Sequence, residues 1–423
     1  MPNNTTSTAR PRPLGELALD LFTGKKKFTD LHIESGKPAM LRLSAGQWIE
    51  ALDEEDRPMV IEHDAITEFL NGVFSDEHPS GGAAGGVKRW KHNLHENGAL
   101  HPAVNLSRAT SAGEFVTCRV RCTVQKQMMG ESIGLVLRPL RDIPTSIESL
   151  GLPIQVSAML RSADRGLIVV TGPTGSGKST TLAAIVNDVN KSKRANILTI
   201  EDPVEFVHER DKSIINQREL GIDVSSYEEG VRDALRFVPD VILIGEIRDA
   251  PTMRAALRAA ESGHLVLTTT HASTTVAAIR KMIAYLDNSQ SDVQALASCL
   301  VGVIAQALVR DTGSTGSNFL AYEVLNCRDS QVADVVGASA SDITGQKMTM
   351  LEDKVRTGEL QAVALPMIDS LRKLVQAGSV DAASAASVAV HADDKSELFK
   401  IAQARSKGGA SWGRSTFNSR NSQ

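Results

Sequence analysis

The chain has 423 residues, of which 42% are hydrophobic and 23% charged, the composition of a globular protein long enough for two or three domains. Its formal net charge of −4 gives no overall field that would recruit nucleic acid or an acidic membrane. No apolar stretch reaches the roughly 18 residues that a spanning helix needs. Residues 1–17 contain no apolar signal core, so we expect a cytoplasmic protein without a membrane anchor of its own.

The N-terminal part of the chain predicts a small α+β domain. Residues 1–14 are polar and contain proline, which indicates a mobile segment. From 15 to 142, strand patterns such as "EFVTCRVRCTV" and "SIGLVLRPL" are mixed with helical ones such as "DAITEFLNGVF". A stretch near 76–102 is rich in glycine, proline, histidine and lysine and is expected to be a long loop. Prolines in 143–153 mark a linker or hinge.

The pattern changes after this linker. From 154 to 310, apolar runs such as "GLIVVTG", "NILTIEDP", "DVILIGEIRD" and "HLVLTTTH" alternate with helical patterns. Continuous apolar strands separated by helices are typical of a parallel sheet covered on both faces. Residues 311–404 are predicted to be mainly helical, and 405–423 form a basic Gly/Ser-rich tail that is expected to be disordered.

The stretch "GPTGSGKS" carries the strongest chemical signal. It fits the phosphate-binding pattern G-x-x-x-x-G-K-[ST], with Gly172, Gly177, Lys178 and Ser179 at the fixed positions. It follows a strand pattern and opens a helix, whose N-terminus attracts phosphate oxygens. Its glycines let the backbone turn its N–H groups toward the same oxygens. The lysine would reach the β and γ phosphates and the serine hydroxyl would ligate Mg²⁺. The sequence therefore predicts binding of a nucleoside triphosphate.

Acidic residues at two strand ends supply further chemistry. Glu246 follows the apolar run "VILIG", and Glu201, Asp202 and Glu205 follow "NILTI". Carboxyl ends of parallel strands meet at the edge where such folds bind ligands. One of these acids could hold the metal and another could position the attacking water.

Two histidines bracket the strand pattern "LVLTTT". His264 precedes it and His271 follows it, so a shared metal site is not expected. At the carboxyl end of the strand, His271 could sense the presence of a γ-phosphate.

Several quoted segments together resemble one protein family. The segments are "VTGPTGSGKSTTLAAI", "ILTIEDPVEFVHE", "NQRELG", "PDVILIGEIRDAPTMRAALRAAESGHLV" and "THASTTVAAIRKM". They resemble the type II/IV secretion ATPases, especially the pilus-retraction (PilT-like) ATPases and their type IVB secretion (DotB-like) or conjugal-transfer relatives. "FTDLHIESGKPAMLRL" is similar to the start of that family's N-terminal domain. The resemblance implies an α/β fold: a RecA-like P-loop domain after a smaller, PAS-like α+β domain.

The resemblance also implies roles for individual residues. The nucleotide-binding positions that it implies are Gly172, Thr174, Gly175, Ser176, Gly177, Lys178, Ser179 and Thr180, with Asp202, Glu205 and His264. The catalytic residues that it implies are Glu201, Glu246, His271, Arg119 and Arg138. The implied Mg²⁺ ligands are Ser179 and, through water, Glu246. Arg121 competes with Arg119 for the same role, and either Glu201 or Glu246 could activate water, with Glu201 the stronger candidate.

The family resemblance implies a working assembly as well. It implies a homohexamer whose cofactors are ATP and Mg²⁺, with each nucleotide between the N- and C-terminal domains of a subunit. Closure of those domains on ATP would drive the stroke, and partner proteins would recruit the ring to the cytoplasmic face of an inner-membrane secretion or pilus complex. No C-x-x-C pair appears, which argues against the zinc-bearing pilus-assembly branch. An unusual C-terminal region favours a type IVB or conjugation-like system over a pilus retractor.

Other function classes remain open at this point. A RecA-like nucleic-acid motor would need a basic track with aromatic residues, but aromatic side chains make up 4% of the chain, so direct nucleic-acid binding is not expected. A small-molecule kinase lacks a recognisable lid, and a ring that binds ATP without turnover is a further alternative.

Overall fold

A computed structural model describes residues 13–24, 28–43, 47–53, 56–73, 86–100, 103–109, 115–127, 132–139, 143–144, 146–310, 318–339, 342, 345–360 and 363–407. The chain divides into two compact units. The first comprises Met1–Thr145 and Val186–Gly245, and the second comprises Ser146–Ile185 and Glu246–Gln423. None of the helices in the described part is long and apolar enough to cross a membrane.

The first unit begins with an antiparallel sheet and helices that cover it. Its elements up to Thr145 are α1 (Leu14–Thr23), β1 (Phe28–Glu34), β2 (Met40–Leu43), β3 (Trp48–Glu50), α2 (His63–Val73), α3 (Gly86–Asn97), β4 (Ala99–Leu100), β5 (Ala103–Ala109), β6 (Phe115–Gln127) and β7 (Ser132–Pro139). The strand order is β3-β2-β1-β7-β6-β4, and β5 also pairs with β6.

Alternation along β6 separates the core of this sheet from its other face. Val120, Cys122 and Val124 are buried and join one hydrophobic cluster with apolar residues of α1 and α2. Because side chains alternate along a strand, Arg119 and Arg121 lie on the opposite face. Arg121 pairs in register with Arg138 on β7, so the three arginines share that face.

Parallel strands complete the first unit. Its later elements are β9 (Asn196–Glu201), β10 (Ile214–Glu219), α6 (Tyr227–Ala234) and β11 (Val241–Ile244). β9 pairs in parallel with both β10 and β11. Glu201 is the last residue of β9 and lies beside Glu219, the last residue of β10.

The second unit has a mixed sheet with helices. Its elements are α4 (Ile154–Arg161), β8 (Gly166–Thr171), α5 (Lys178–Ser192, of which this unit includes the residues up to Ile185), α7 (Ala250–Glu261), β12 (Leu265–Thr270), α8 (Thr275–Tyr285), α9 (Gln290–Cys299), β13 (Leu300–Arg310), β14 (Asn318–Asn326), α10 (Ser330–Ala338), α11 (Gln346–Thr357), β15 (Ala364–Leu365), α12 (Met367–Ala377), α13 (Ala382–Val388) and α14 (Ala392–Lys407). The strand order is β12-β8-β13-β14-β15. The first three strands are parallel, and β14 and β15 are antiparallel additions.

The predicted strands of the ATPase region are confirmed as β8, β9, β11 and β12. Every residue of β8 and β12 is buried, which is why these strands have no alternating polar face. The mixed α/β class predicted from the sequence is therefore confirmed. The exact domain boundaries at 142, 153 and 310 remain predictions, although β14 extends the sheet within the region predicted to be mainly helical.

The predicted long loop near 76–102 is wrong where the structure describes it. Gly86–Asn97 form α3, and residues 74–85 and 101–102 lie outside the described residues. Trp90 and Leu94 are buried one helical turn apart, and the Trp90 indole N–H donates to Asn71 Oδ1 at 3.1 Å. This tertiary burial outweighs the loop-like composition. At the termini, residues 1–12 and 408–423 lie outside the described part, and α14 extends to Lys407, into the predicted tail.

A buried carboxyl group connects the sheet of the second unit to two helices. Glu323 on β14 is 6% exposed, and its Oε1 accepts hydrogen bonds from the backbone N–H and the hydroxyl of Thr275, both at 2.8 Å. A further backbone hydrogen bond comes from Met367, the first residue of α12. Burial raises the pKa of Glu323, although these hydrogen bonds favour its charged form.

We expect Glu323 to make stability fall as pH rises. Because its pKa is higher in the folded chain, the folded state holds this proton more tightly than the unfolded state. The free energy of unfolding should therefore fall by up to about 1.4 kcal/mol per pH unit between the unfolded and folded pKa values. Urea unfolding of wild type and Glu323→Gln at several pH values would measure this slope. Glu359→Gln, at an exposed position, is the control and should keep the wild-type slope.

Candidate functional site

The loop between β8 and α5 has the backbone that an anion-binding loop requires. Gly172, Gly175 and Gly177 have φ angles of 154°, 79° and 88°, a region that side chains disfavour. A Cβ atom on Gly172 would lie 2.3 Å from the carbonyl oxygen of Gln306, so this position also lacks room for a side chain. The loop ends directly in α5, whose N-terminus attracts negative charge.

Lys178 is the first residue of α5, and its side chain contacts this loop. Its Nζ donates to the carbonyl oxygens of Gly172 at 2.9 Å and Pro173 at 3.1 Å. Burial lowers the pKa of Lys178, the charge of Glu246 opposes that shift, and Lys281 adds to it. A cation held among carbonyl oxygens at a helix N-terminus is placed to exchange those contacts for phosphate oxygens.

His271 connects Lys178 to Glu246. Its Nδ1 lies 3.4 Å from Lys178 Nζ, and its Nε2 lies 3.0 Å from Glu246 Oε1. Since lysine can only donate, this geometry favours the neutral tautomer with the proton on Nε2. The other Glu246 oxygen accepts from Arg248 Nε at 2.9 Å. The group therefore combines two cations, a carboxylate and an imidazole beside the glycine-rich loop.

The remaining loop residues supply hydroxyl groups. Ser176 is buried, and its Oγ has no hydrogen-bond partner within the described structure, while Thr174 and Ser179 are exposed and Thr180 is half-buried. Mg²⁺ bound with a nucleotide needs only one or two protein oxygens, because phosphate oxygens and waters complete its shell. The Ser179 hydroxyl and the Glu246 carboxylate, the latter through water, remain the predicted source of these oxygens. Within the described residues, no group of three or more His, Cys, Asp or Glu side chains could hold a metal alone.

The first unit contains the other predicted acids. Glu201 Oε1 accepts from the Thr199 hydroxyl at 2.7 Å and from Gln217 Nε2 at 3.2 Å. Burial raises the pKa of Glu201, with the charge of Glu205 adding to the shift and these hydrogen bonds opposing it. A raised pKa brings a carboxylate closer to the range in which it can accept a proton from water.

The arginines of the first unit differ in their partners. Arg121 donates to Glu205 Oε1 at 2.7 Å, and Arg138 donates to Asp30 Oδ1 at 2.6 Å. Arg119 Nε is buried and has no hydrogen-bond partner in the part of the chain described. Burial lowers the pKa of Arg119, and the charges of Glu219 and Glu201 oppose this. Among the described residues, Arg121 and Arg138 thus pair with acids, Arg121 through Nη2, whereas the Nε atoms of both Arg119 and Arg121 are buried without a hydrogen-bond partner.

His264 has a local contact. Its Nδ1 lies 3.0 Å from the carbonyl oxygen of Ala259, near the end of α7. Its assignment to the nucleotide site remains a prediction. Asp202 precedes Pro203 after the end of β9, and its role also remains a prediction.

Sequence reasoning missed several residues that contact the predicted ones. Gln217 binds Glu201, Arg248 binds Glu246, Lys281 donates to the His271 carbonyl oxygen at 3.2 Å, and Gln306 binds the phosphate loop. Gln306 has a signal of its own, since it is a polar residue within the apolar run "LVGVIAQALV". The other three lie within segments that resemble the family, but no local pattern marks the contacts that they make.

Comparisons with known proteins show the family to which this chain belongs. A model of the family described as "Type II/IV secretion system protein" matches residues 113–388. The chain is 34% identical over 316 residues to the "Type IV pilus retractation ATPase PilT" of Pseudomonas aeruginosa, covering 72% of this chain and 80% of that protein.

Solved structures show the same relationship. A crystal structure of the pilus retraction motor PilT with bound ADP superimposes with a TM-score of 0.73 and 30% identity, covering 91% of this chain and 99% of that one. A crystal structure of the Legionella pneumophila ATPase DotB superimposes with a TM-score of 0.68 and 20% identity, and the match covers 95% of this chain and 98% of the DotB chain. This likeness shows the fold alone. The chain is therefore a PilT-like member of the type II/IV secretion ATPase superfamily.

Proposed function

We propose that this chain binds ATP with Mg²⁺ and hydrolyses it to power a secretion or pilus apparatus. The observation that carries the proposal is the contact of Lys178 with the glycine-rich loop before it, with His271 between Lys178 and Glu246. A loop of this form binds phosphate through backbone N–H groups and its lysine. The relative PilT, which is named an ATPase, supports the same activity.

The residues have distinct roles in this proposal. Lys178 and the loop N–H groups hold the phosphates, and Ser179 with Glu246 holds Mg²⁺, which neutralises charge on the phosphates. His271 reports the γ-phosphate, because its Nδ1 lies close to the ammonium group that this phosphate would draw away. Glu201 is the proposed water-activating residue, and Arg119 and Arg138 are proposed to stabilise charge on the transferring group.

The assembly and the apparatus are proposed from the family resemblance and from two features of the sequence. A homohexamer recruited to the cytoplasmic face of an inner-membrane complex follows from the family resemblance. The absent C-x-x-C pairs and the unusual C-terminal sequence favour a type IVB or conjugation-like system. Pilus retraction proper is the alternative, and the relative named a pilus retractation ATPase supports it.

The proposal is tested by measuring ATP turnover and molar mass together. We expect wild type to elute with the mass of a hexamer, by light scattering during chromatography, and to release phosphate from ATP in a Mg²⁺-dependent reaction. Single-stranded DNA should leave the turnover unchanged. A monomer whose turnover is stimulated by DNA would contradict the proposal and favour a nucleic-acid motor. Binding of ATP without any turnover in the assembled ring would favour a non-catalytic scaffold.

A further inference from the structure

Gln306 is a buried amide within an otherwise apolar strand. It is 1% exposed, and it follows Ala305, which pairs in parallel register with Thr171, the last residue of β8. Gln306 therefore lies level with the start of the phosphate loop. Its own backbone carbonyl is the atom that excludes a side chain from Gly172.

One end of this amide binds the loop, and the other binds the first turn of α5. Gln306 Nε2 donates to the Ser176 carbonyl oxygen at 2.7 Å, and its Oε1 accepts from the Thr181 hydroxyl at 2.9 Å. The two partners lie on either side of Gly177 and Lys178. Since both partners and the amide are buried, the contacts are shielded from competing water.

The bond to Ser176 also determines where an N–H group points. In a trans peptide, the carbonyl and the following N–H are held in opposite directions in one plane. With its Ser176 carbonyl turned onto Gln306, this peptide directs the Gly177 N–H away from β13. The peptide turns about ψ of Ser176 and φ of Gly177, and Gly177, whose φ angle is positive, allows that rotation at little steric cost. The loop backbone alone therefore does little to prevent the peptide from turning over.

We propose that Gln306 is a positioning residue that holds the Gly177 N–H in the orientation in which a bound phosphate accepts its hydrogen bond. Gln306 acts through the Ser176–Gly177 peptide, and the inference assigns it no contact with the nucleotide. It rests on the proposed function, since the phosphate belongs to the nucleotide bound there.

The first test is the affinity for ADP with Mg²⁺, measured by titration calorimetry on the full chain. Gln306→Met keeps the length of the side chain but removes both hydrogen-bonding groups. We expect the Kd for ADP to rise about 10-fold or more, the effect of losing a hydrogen bond to a charged group. Circular dichroism without nucleotide should show that the fold is retained.

Ser370→Ala is the matched control. The Ser370 hydroxyl accepts a hydrogen bond from the backbone N–H of Tyr322, the residue paired with Gln306 on the next strand. The substitution removes a buried hydrogen bond beside the same position without touching the loop, so it should lower the melting temperature and leave the Kd for ADP unchanged. An equal rise in Kd for both variants would mean that Gln306 acts only through general stability.

The pH dependence of ADP binding by Gln306→Glu tests the positioning role in a way that a general loss of stability would not affect. A protonated carboxyl group can donate to the Ser176 carbonyl and accept from Thr181, whereas the ionised form has no donor. We expect the ratio of variant Kd to wild-type Kd to fall as pH falls. His271, Lys178 and Glu246 also lie near the loop, and dividing by the wild-type Kd at each pH removes any pH dependence that both chains share.

The outcomes separate the two proposals. If wild type does not bind ADP, the proposed function fails. If wild type binds ADP and Gln306→Met binds it equally well, or if the Gln306→Glu ratio does not change with pH, the positioning role is overturned while the proposed function stands.

Discussion

Replacing Lys178 with alanine is expected to lower ATP hydrolysis roughly 10²–10³-fold, which is the effect of removing one preorganised charge from a transition state. The ammonium group is held at the mouth of the loop by two carbonyl oxygens, so it needs little rearrangement to meet phosphate. Its loss also leaves His271 Nδ1 without the donor described here. Phosphate release at saturating ATP, together with the Kd for ADP, measures the effect.

Lys191→Ala is the control for this variant. Lys191 is exposed in the last turn of the same helix, α5, so its removal changes the charge of the helix without touching the loop. We expect wild-type turnover from it. Retained hydrolysis in Lys178→Ala, or equal loss in both variants, would contradict the proposed site.

Replacing Glu201 with glutamine is expected to lower kcat about 10²–10⁴-fold, the usual contribution of a general base, while the Kd for ADP stays near the wild-type value. Glutamine keeps the shape and can still accept from Thr199, but it cannot take a proton from water. The comparison with Glu246→Gln is informative because Glu246 is assigned to the metal. That variant should raise the Mg²⁺ concentration needed for half-maximal turnover as well as lower kcat.

The pH dependence of kcat distinguishes the two acids further. Burial raises the pKa of Glu201, and a base acts only when ionised, so wild-type kcat should fall as pH falls through this raised pKa. Residual activity of Glu201→Gln should lack this acid limb. Glu228→Gln, at an exposed position in the first turn of α6, should keep it. If Glu246→Gln loses the limb and Glu201→Gln keeps it, the two roles are exchanged.

The chemical features that the sequence predicted are local along the chain. The phosphate loop follows from the spacing of Gly172, Gly177 and Lys178, and the buried strands β8 and β12 follow from uninterrupted apolar runs. Such patterns specify backbone conformation and burial within a few residues, so no contact with a distant segment has to be known. The same locality explains the error at α3, where a glycine-rich context concealed Trp90 and Leu94.

Tertiary structure alone decided which side chains meet. His271 lies 93 residues beyond Lys178 in the chain and still contacts it, and Gln306 lies 130 residues beyond Ser176. The pairing of Arg121 rather than Arg119 with Glu205 likewise depends on how β6 is placed within the first unit. Contacts of this kind require donor and acceptor to come within about 3.5 Å, a condition set by strand register and packing between distant segments. The sequence by itself therefore determined the phosphate loop and the class of fold, whereas only the folded chain determined the partners that orient the loop.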